Sequence, residues 1–516
     1  MAEIINKIDA DTVHHPVSAG TIHIHHHHGP DKTNPEPKPV ALHPELKLDD
    51  LQQAGIWKVD AISRFRYTAR GTPVFGREAE MARLRKFLDP EQGHFQWWML
   101  GGPGGSGKSR LALELVLEAK KNNWLAGFLS PEQGSAGRYA FLHQPPPDWP
   151  VQPTLLIIDY ISGKEKETGD VVAALARRPA TGHPLRLLLL EREVGPEVSW
   201  WKEFLGSGER LTCIENCRHA LPLVLPALSL DWMAQVVRKW PGKKPPETVW
   251  LDLLQRLNAG GRPLYAAFLA DALRDYFQEE TVHWDKIALV NRILDRERER
   301  WQLCGIVDEG IHLLLLATLC GGIETAPESQ LPPYVEQLIA SASSHTNPDF
   351  AERCLLLTGH ALTTQQTRLF PLEPDLLGEL FVLEYLQPTP SIRSDNNKKL
   401  RSQIIQTAWQ INPLGVFATL TRTAQDFPGH AGLFSLLALP MDHRPQERLL
   451  WAMAVVNVIL RAASQQIGQA ATLLKNLATL AMSHPKEPLL REEQAKGAFN
   501  LITFYGNAGQ ICTGSA

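Results

Sequence analysis

Residues 101–110 read GGPGGSGKSR, and no other stretch of the chain is as well suited to chemistry. Gly102, Gly107, Lys108 and Ser109 stand at the fixed places of G-x-x-x-x-G-K-[ST], the phosphate-cradling P-loop pattern. The spacing has a physical reason. The β- and γ-phosphates of a nucleotide need several backbone N–H donors aimed inward, and residues without Cβ let the backbone close around them. Lys108 would reach the β- and γ-oxygens as a point charge, and the Ser109 hydroxyl would ligate Mg²⁺. Pro103, Gly104, Gly105, Ser106 and Arg110 complete the stretch expected to touch the nucleotide. A helix starting here adds the positive end of its dipole. A bare glycine turn is the alternative. The context speaks against it: strand-like Trp97-Trp98-Met99-Leu100 precedes, and Leu111, Leu113, Leu115, Val116 and Leu117 follow at helical spacing.

A P-loop needs a second acidic group on the metal side, usually at the end of an apolar strand. Leu155-Leu156-Ile157-Ile158-Asp159 has that form, the Walker B pattern, and Asp159 is the expected metal-side carboxylate. Tyr160 follows it, where many ATPases place a general base, so hydrolysis should be slow. Glu165 and Glu167 could substitute, but SGKEKETGD reads as a polar loop with both carboxylates solvated. Arg192 ends the next strand, where a guanidinium could sense a γ-phosphate. Its alternative is a surface arginine paired with Glu191 or Glu193.

The elements that must position these residues follow from the apolar pattern. EAEMARLRKFL (78–88) reads as an amphipathic helix, and strands are expected at 97–100, 125–129, 154–161, 185–190 and 222–225. Strands alternating with helices predict an α/β fold with a parallel sheet, whose ligands sit at the carboxyl ends of the strands. After Ser229, a helix N-cap, the pattern turns helical through DWMAQVVRKW, TVWLDLLQRL, RPLYAAFLADALRDYF and DKIALVNRILDRERERW. Residues 301–390 mix helices with a short apolar segment, and from about 400 apolar residues recur as in stacked helical pairs.

Length and composition bound the reading. At 516 residues the chain exceeds one core and should hold three or four domains. With 44% hydrophobic and 21% charged residues it reads as a soluble globular protein. A net charge of −4 gives no global pull toward nucleic acid or membrane. No run of eighteen apolar residues and no signal peptide is found, and six cysteines suit a reducing cytoplasm. Cys213, Cys217 and His219 have a metal-like spacing but no second ligand pair, so they read as buried or incidental groups. The tract TIHIHHHH at 21–28 suits metal binding, a tag remnant, a tail or a short strand, and no role is assigned.

The motif order over 72–386 resembles the STAND family, signal-transducing P-loop NTPases with modular helical sensors. TPVFGREAEMARLRKFL looks like the family's F-G-R-E segment, and LLIIDYI like the Walker B form of a bacterial subgroup. LRLLLLERE with Ser199-Trp200-Trp201 is similar to that subgroup's sensor strand and tryptophan pair. Gly261-Arg262-Pro263-Leu264 resembles the G-x-P-L motif of a helical lid, and LFPLEPDLLGELFVLEYL (369–386) a winged-helix-type segment. The resemblance implies a flexible, His-bearing segment with a short helix at 1–70, an NTPase core at 71–228 and a lid at 229–300. A winged-helix-like domain at 301–390 and tetratricopeptide-like repeats at 391–516 would follow.

It also implies that Phe75, Gly76 and Arg77 flank the base and ribose and that Pro263 packs on adenine. ATP or ADP and Mg²⁺ are the implied cofactors. ADP would hold the lid and winged helix on the core. A trigger at the C-terminal helices would drive ATP exchange, opening and homo-oligomerisation. Two departures stand out. No recognisable effector domain precedes residue 70. GAFNLITFYGNAGQ (497–510) resembles the first helix of a repeat, but ICTGSA stands where its second helix should run. Competing readings are a DNA-binding regulator using 301–390, an AAA+ motor, and a small-molecule kinase. The acidic, apolar DLLGELFVLEYL is unlike a recognition helix and reads as packing, so nucleic acid is not expected as a partner, nor is a membrane.

Overall fold

The computed structural model describes residues 46, 48, 62–129, 139–161, 163–257, 260–275, 284–306, 308–325, 329–344, 354, 357–358, 368–387, 394–437, 444–462 and 467–513. The histidine tract lies outside them. Five strands make the central sheet: β1 (Phe95–Gly101), β2 (Leu125–Phe128), β3 (Thr154–Asp159), β4 (Leu185–Glu191) and β5 (Leu223–Val224). All are parallel, in the order β2-β3-β4-β1-β5. Parallel strands covered by helices on both faces are apolar at every position rather than alternately. This explains FQWWML, TLLII and LRLLLL. Side chains still alternate, so each strand feeds two cores. Trp97, Met99, Leu156, Ile158, Leu187 and Leu189 enter one, and Trp98, Leu100, Leu155, Ile157, Leu188 and Leu190 the other.

Helices α1 (Glu78–Phe87) and α2 (Lys108–Lys121) cover the second face. The short α3 (Ala140–His143) and helices α4 (Glu165–Ala176), α5 (Ser199–Leu205) and α6 (Gly208–Asn216) cover the first. Arg186 is fully buried on β4 and donates to the carbonyls of Phe87 (2.7 Å), Asp89 (2.6 Å) and Gly93 (3.0 Å). It satisfies the orphan carbonyls at the end of α1, which explains a charge inside a leucine run. The expected strands are all present, with ends shifted by one or two residues and TLLIIDYI shortened to 154–159.

The remaining described elements are mostly helical: α7 (Leu230–Lys239), α8 (Glu247–Leu257), α9 (Pro263–Ala272), α10 (Lys286–Leu303), α11 (Asp308–Cys320) and α12 (Pro333–Ser344). Helices α13 (Asp375–Tyr385), α14 (Ser394–Ile411), α15 (Pro413–Asp426), α16 (Pro445–Ala462), α17 (Ile467–Ser483) and α18 (Pro488–Thr513) follow. One short antiparallel pair, β6 (Ile323–Glu324) with β7 (Arg368–Leu369), interrupts them. Ser229 caps α7 by accepting from Trp232 N at 3.4 Å, as the sequence predicts. A single apolar core runs from Ile62 to Leu501 through these helices. Helix α13 is buried along 376–383, which agrees with its reading as a packing element.

Of the 1–70 segment, expected to hold a short helix and a linker, the structure describes residues 46, 48 and 62–70. Residues 62–65 and 67–69 are two 3₁₀ turns, and Leu48 bridges Leu129 beside β2. Arg64 is buried against α9, 2.8 Å from Asp271.

Candidate nucleotide site

Parallel pairing sets Gly101 against Glu191 and Asp159 against Leu190, so β1, β3 and β4 end at one edge of the sheet. The glycine-rich loop leaves β1 at that edge and turns into α2. Gly107 caps α2 at φ +96°, a left-handed conformation that a side chain would strain. Lys108 therefore begins the helix, with its ammonium buried under the loop. Its Nζ donates to the carbonyls of Gly102 (2.6 Å) and Pro103 (3.3 Å). Burial, together with the nearby Arg192 guanidinium, lowers its pKa to about 8. A bound polyphosphate would raise it again.

The hydroxyl of the next residue, Ser109, donates to Asp159 Oδ2 at 2.7 Å. The other oxygen of Asp159 is buried and has no partner, and burial pushes the carboxyl up to about 6. A hydroxyl and a carboxylate with one unused oxygen are the donor set that a hard divalent cation requires. These two residues fit Mg²⁺.

A cavity of about 250 Å³ opens over the loop, lined among others by Thr72, Phe75, Lys108, Asp159, Trp240 and Pro263. The strap 70–77 forms one wall. Arg110 Nη2 holds Thr72 O at 3.0 Å, Arg70 binds Glu114 at 3.0 and 3.1 Å, and Arg77 Nη2 reaches Ser106 O at 3.4 Å. Phe75 stacks on Trp232, with centroids 6.4 Å apart, and Gly76 lies against the same indole. Pro263 starts α9 on the opposite side, and Leu264 N donates to Gly105 O at 3.3 Å. Thus Phe75, Arg77, Gly104 to Arg110, Asp159 and Pro263 all meet at one cavity. The apolar and polar walls suit a base and its phosphates.

Arg192 is not among the cavity-lining residues. Only 4% exposed, it is no surface arginine. The Glu191 carboxylate accepts from the backbone N–H groups of Ile161 (2.9 Å) and Arg192 (2.6 Å), while Glu193 binds Arg461 at 2.9 Å. The Arg192 guanidinium turns to the helical half. It pairs with Asp426 at the end of α15, with Glu379 at 2.6 Å and with Asp375 at 3.4 Å on α13. Burial pushes Glu379 up to about 8.

Tyr160 stands at φ +61° with its hydroxyl bonded to Asp375 and the Arg422 guanidinium 4.8 Å over its ring. The position after Asp159 therefore carries a side chain tied to α13 and no carboxylate. Glu165 and Glu167 are not in a solvated loop, as the sequence suggests. They form the first turn of α4 and are half-buried. Glu165 accepts from Gly163 N at 2.8 Å, and burial raises its pKa to about 7.

Trp200 and Trp201 pack with Phe204 beneath the sheet, away from the loop. His219 donates from Nδ1–H to Gln96 Oε1 (2.9 Å) and packs on Phe87 and Trp98. Among the described residues no three His, Cys, Asp or Glu side chains gather to hold a metal. Sequence reasoning missed Asp375, Glu379, Arg422 and Asp426. The one signal was Asp375 and Glu379, one helical turn apart in an otherwise apolar run.

No protein-family model matches the chain, and no curated protein does. Among solved structures it is similar to the Orc1 protein of Aeropyrum pernix in complex with DNA. The identity is 14%, the match covers 63% of this chain and 96% of that one, and the TM-score is 0.32. A DNA complex among the matches corrects the expectation that nucleic acid is no partner. The net charge of −4 describes the whole chain and says nothing of any one face. No helix among the described residues is long and apolar enough to cross a membrane.

Proposed function

We propose that the chain is a Mg²⁺-dependent ATP- and ADP-binding switch of the STAND type, with slow hydrolysis. The observation that carries this reading is the pairing of Ser109 with Asp159 at the mouth of the glycine loop, with one buried carboxylate oxygen left over. The loop N–H groups and Lys108 would hold the phosphates, Ser109 and Asp159 the cation, and the strap 72–77 with Pro263 the base. Mg²⁺ would supply charge neutralisation on the phosphates. Slow turnover follows from Tyr160, which gives the site no carboxylate after Asp159. The domain division at 71–228, 229–300, 301–390 and 391–516 belongs to the same proposal. So do the winged-helix and tetratricopeptide-like character of the last two regions.

Titration of labelled ATP against Lys108→Ala tests the core of the reading. Loss of a charge-assisted contact should weaken binding by about 2–3 kcal/mol. Unchanged affinity would remove the site from residues 102–109. A steady turnover well above about 1 s⁻¹, the low end for enzymes, would contradict the switch and favour a motor.

A further inference from the structure

The ion pairs around Arg192 tie the glycine loop to the helical half of the chain, and their geometry bears on which nucleotide the loop accepts. Asp426 is 234 residues from Arg192 in sequence, yet its side chain is only 4% exposed and sits between two guanidiniums. Its Oδ1 lies 2.6 Å from Arg262 Nη1, and its Oδ2 pairs with Arg192 Nη1. Both groups lie against the loop backbone. A Cβ built on Gly104 would stand 2.5 Å from Asp426 Oδ2 and 3.2 Å from Arg192 Cζ. Arg262 Nη1 also reaches Gly104 O at 3.3 Å. Around this point Arg192, Arg262 and Arg422 face Asp375, Glu379 and Asp426. Three guanidiniums thus face three carboxyl groups, and the set is closed without a ligand.

We propose that Asp426 stands in for a third phosphate: its carboxylate occupies Arg192 and Arg262 in the closed chain, so a diphosphate is accepted while a triphosphate must displace it. The inference rests on the nucleotide reading above. The physical ground is competition between like charges. A carboxylate and a phosphate oxygen want the same donors, and an anion placed beside Asp426, Asp375 and Glu379 is repelled until they withdraw. A diphosphate needs only the loop N–H groups and Lys108. A terminal phosphate adds negative charge for which Arg192 and Arg262 are the nearby cations, and both are taken. Withdrawal has a structural consequence. Asp426 ends α15, and Asp375 and Glu379 are on α13, so freeing Arg192 removes the ion pairs that join both helices to the sheet. Of the ties described here, the Arg461–Glu193 pair from α16 and the Arg422 guanidinium over the Tyr160 ring involve none of the three carboxylates.

The test compares dissociation constants of MgATPγS and MgADP for the full chain and for Asp426→Asn, which keeps the shape and removes the charge. The wild type should favour ADP. The variant should bind ATPγS about tenfold more tightly, with ADP within about twofold, so that the ratio moves and not the common term. An unchanged ratio in a folded variant overturns the inference. If the variant does not fold, hydrogen exchange on the wild type decides. MgATPγS, and not MgADP, should speed exchange in 413–426, while both slow it in 102–121. Equal exchange in 413–426 with the two nucleotides overturns the inference and leaves the nucleotide reading standing. Failure of the wild type to bind either nucleotide overturns both.

Discussion

Removing Asp271 should loosen the cavity wall without touching a phosphate contact. Asp271 is on α9 and Arg64 on the 3₁₀ turn that leads into the strap 70–77. The two are 207 residues apart in sequence, 2.8 Å apart in space, and 1% and 2% exposed. Asp271 also accepts from Arg296 at 2.7 Å and lies 3.2 Å from Arg274. Glu297 stands 3.8 Å from Arg64 and is itself bound to Arg300 at 2.7 Å. Asp271→Ala thus removes the 2.8 Å carboxylate partner of a buried guanidinium. Breaking a buried pair from one side costs about 3–5 kcal/mol. Read as local opening, that is a loss of about two to four orders of magnitude in amide protection over 62–69 and 263–272. Replacing both partners, Arg64→Met with Asp271→Leu, should recover most of it. Arg296 and Arg274 are 13% and 16% exposed and can turn outward. Nucleotide affinity should fall in the single variant and return in the double. A loss of protection under about tenfold in Asp271→Ala, or a double variant worse than the single, would refute the reasoning.

Other substitutions read other parts of the structure. Gly107→Ala meets only Pro263 Cγ at 3.7 Å, so its cost is the strain of φ +96°, about 1–2 kcal/mol, and it should weaken nucleotide binding in a titration. Asp159 has a folded pKa of about 6 against an ordinary 3.8, so its stabilising contribution is full below pH 3.8 and is lost as pH rises through 6. Asp159→Asn should therefore stabilise the nucleotide-free chain at pH 7 by up to about 3 kcal/mol and little at pH 4. Denaturation curves with equal shifts at both pH values would show that burial is not the cause. On α18, Leu501 is buried while Phe499 and Ile502 are 70% and 68% exposed. Leu501→Ala should cost about 2–3 kcal/mol and Phe499→Ala under about 0.5, measured by local hydrogen exchange.

What the sequence made legible, and what it hid, follows from the range of each interaction. The glycine loop, Lys108, Ser109 and the strand before them are local features, fixed by backbone geometry within about one helical turn. Asp159 was legible because an apolar strand ending in an acid is itself a local pattern, and the parallel register then brings it to Ser109. Glu165 was misread because SGKEKETGD is polar in composition, while the burial that raises its carboxyl comes from packing the sequence does not display. Arg192 was legible as a strand-end cation, but its partners were not. Asp426 lies at the end of a helix 234 residues away, in a stretch whose acid would ordinarily be solvent-facing. Nothing in periodicity distinguishes an acid that ends a helix in water from one that ends it against an arginine. The distinction is carried by the fold bringing α15 to the edge of the sheet, and by the cost of burying Arg192 without a counter-charge. That cost is why Arg192, beside the loop that would hold phosphate, is met by three carboxyl groups from α13 and α15. A buried cation placed for an anion must have one in every state, and the chain supplies its own.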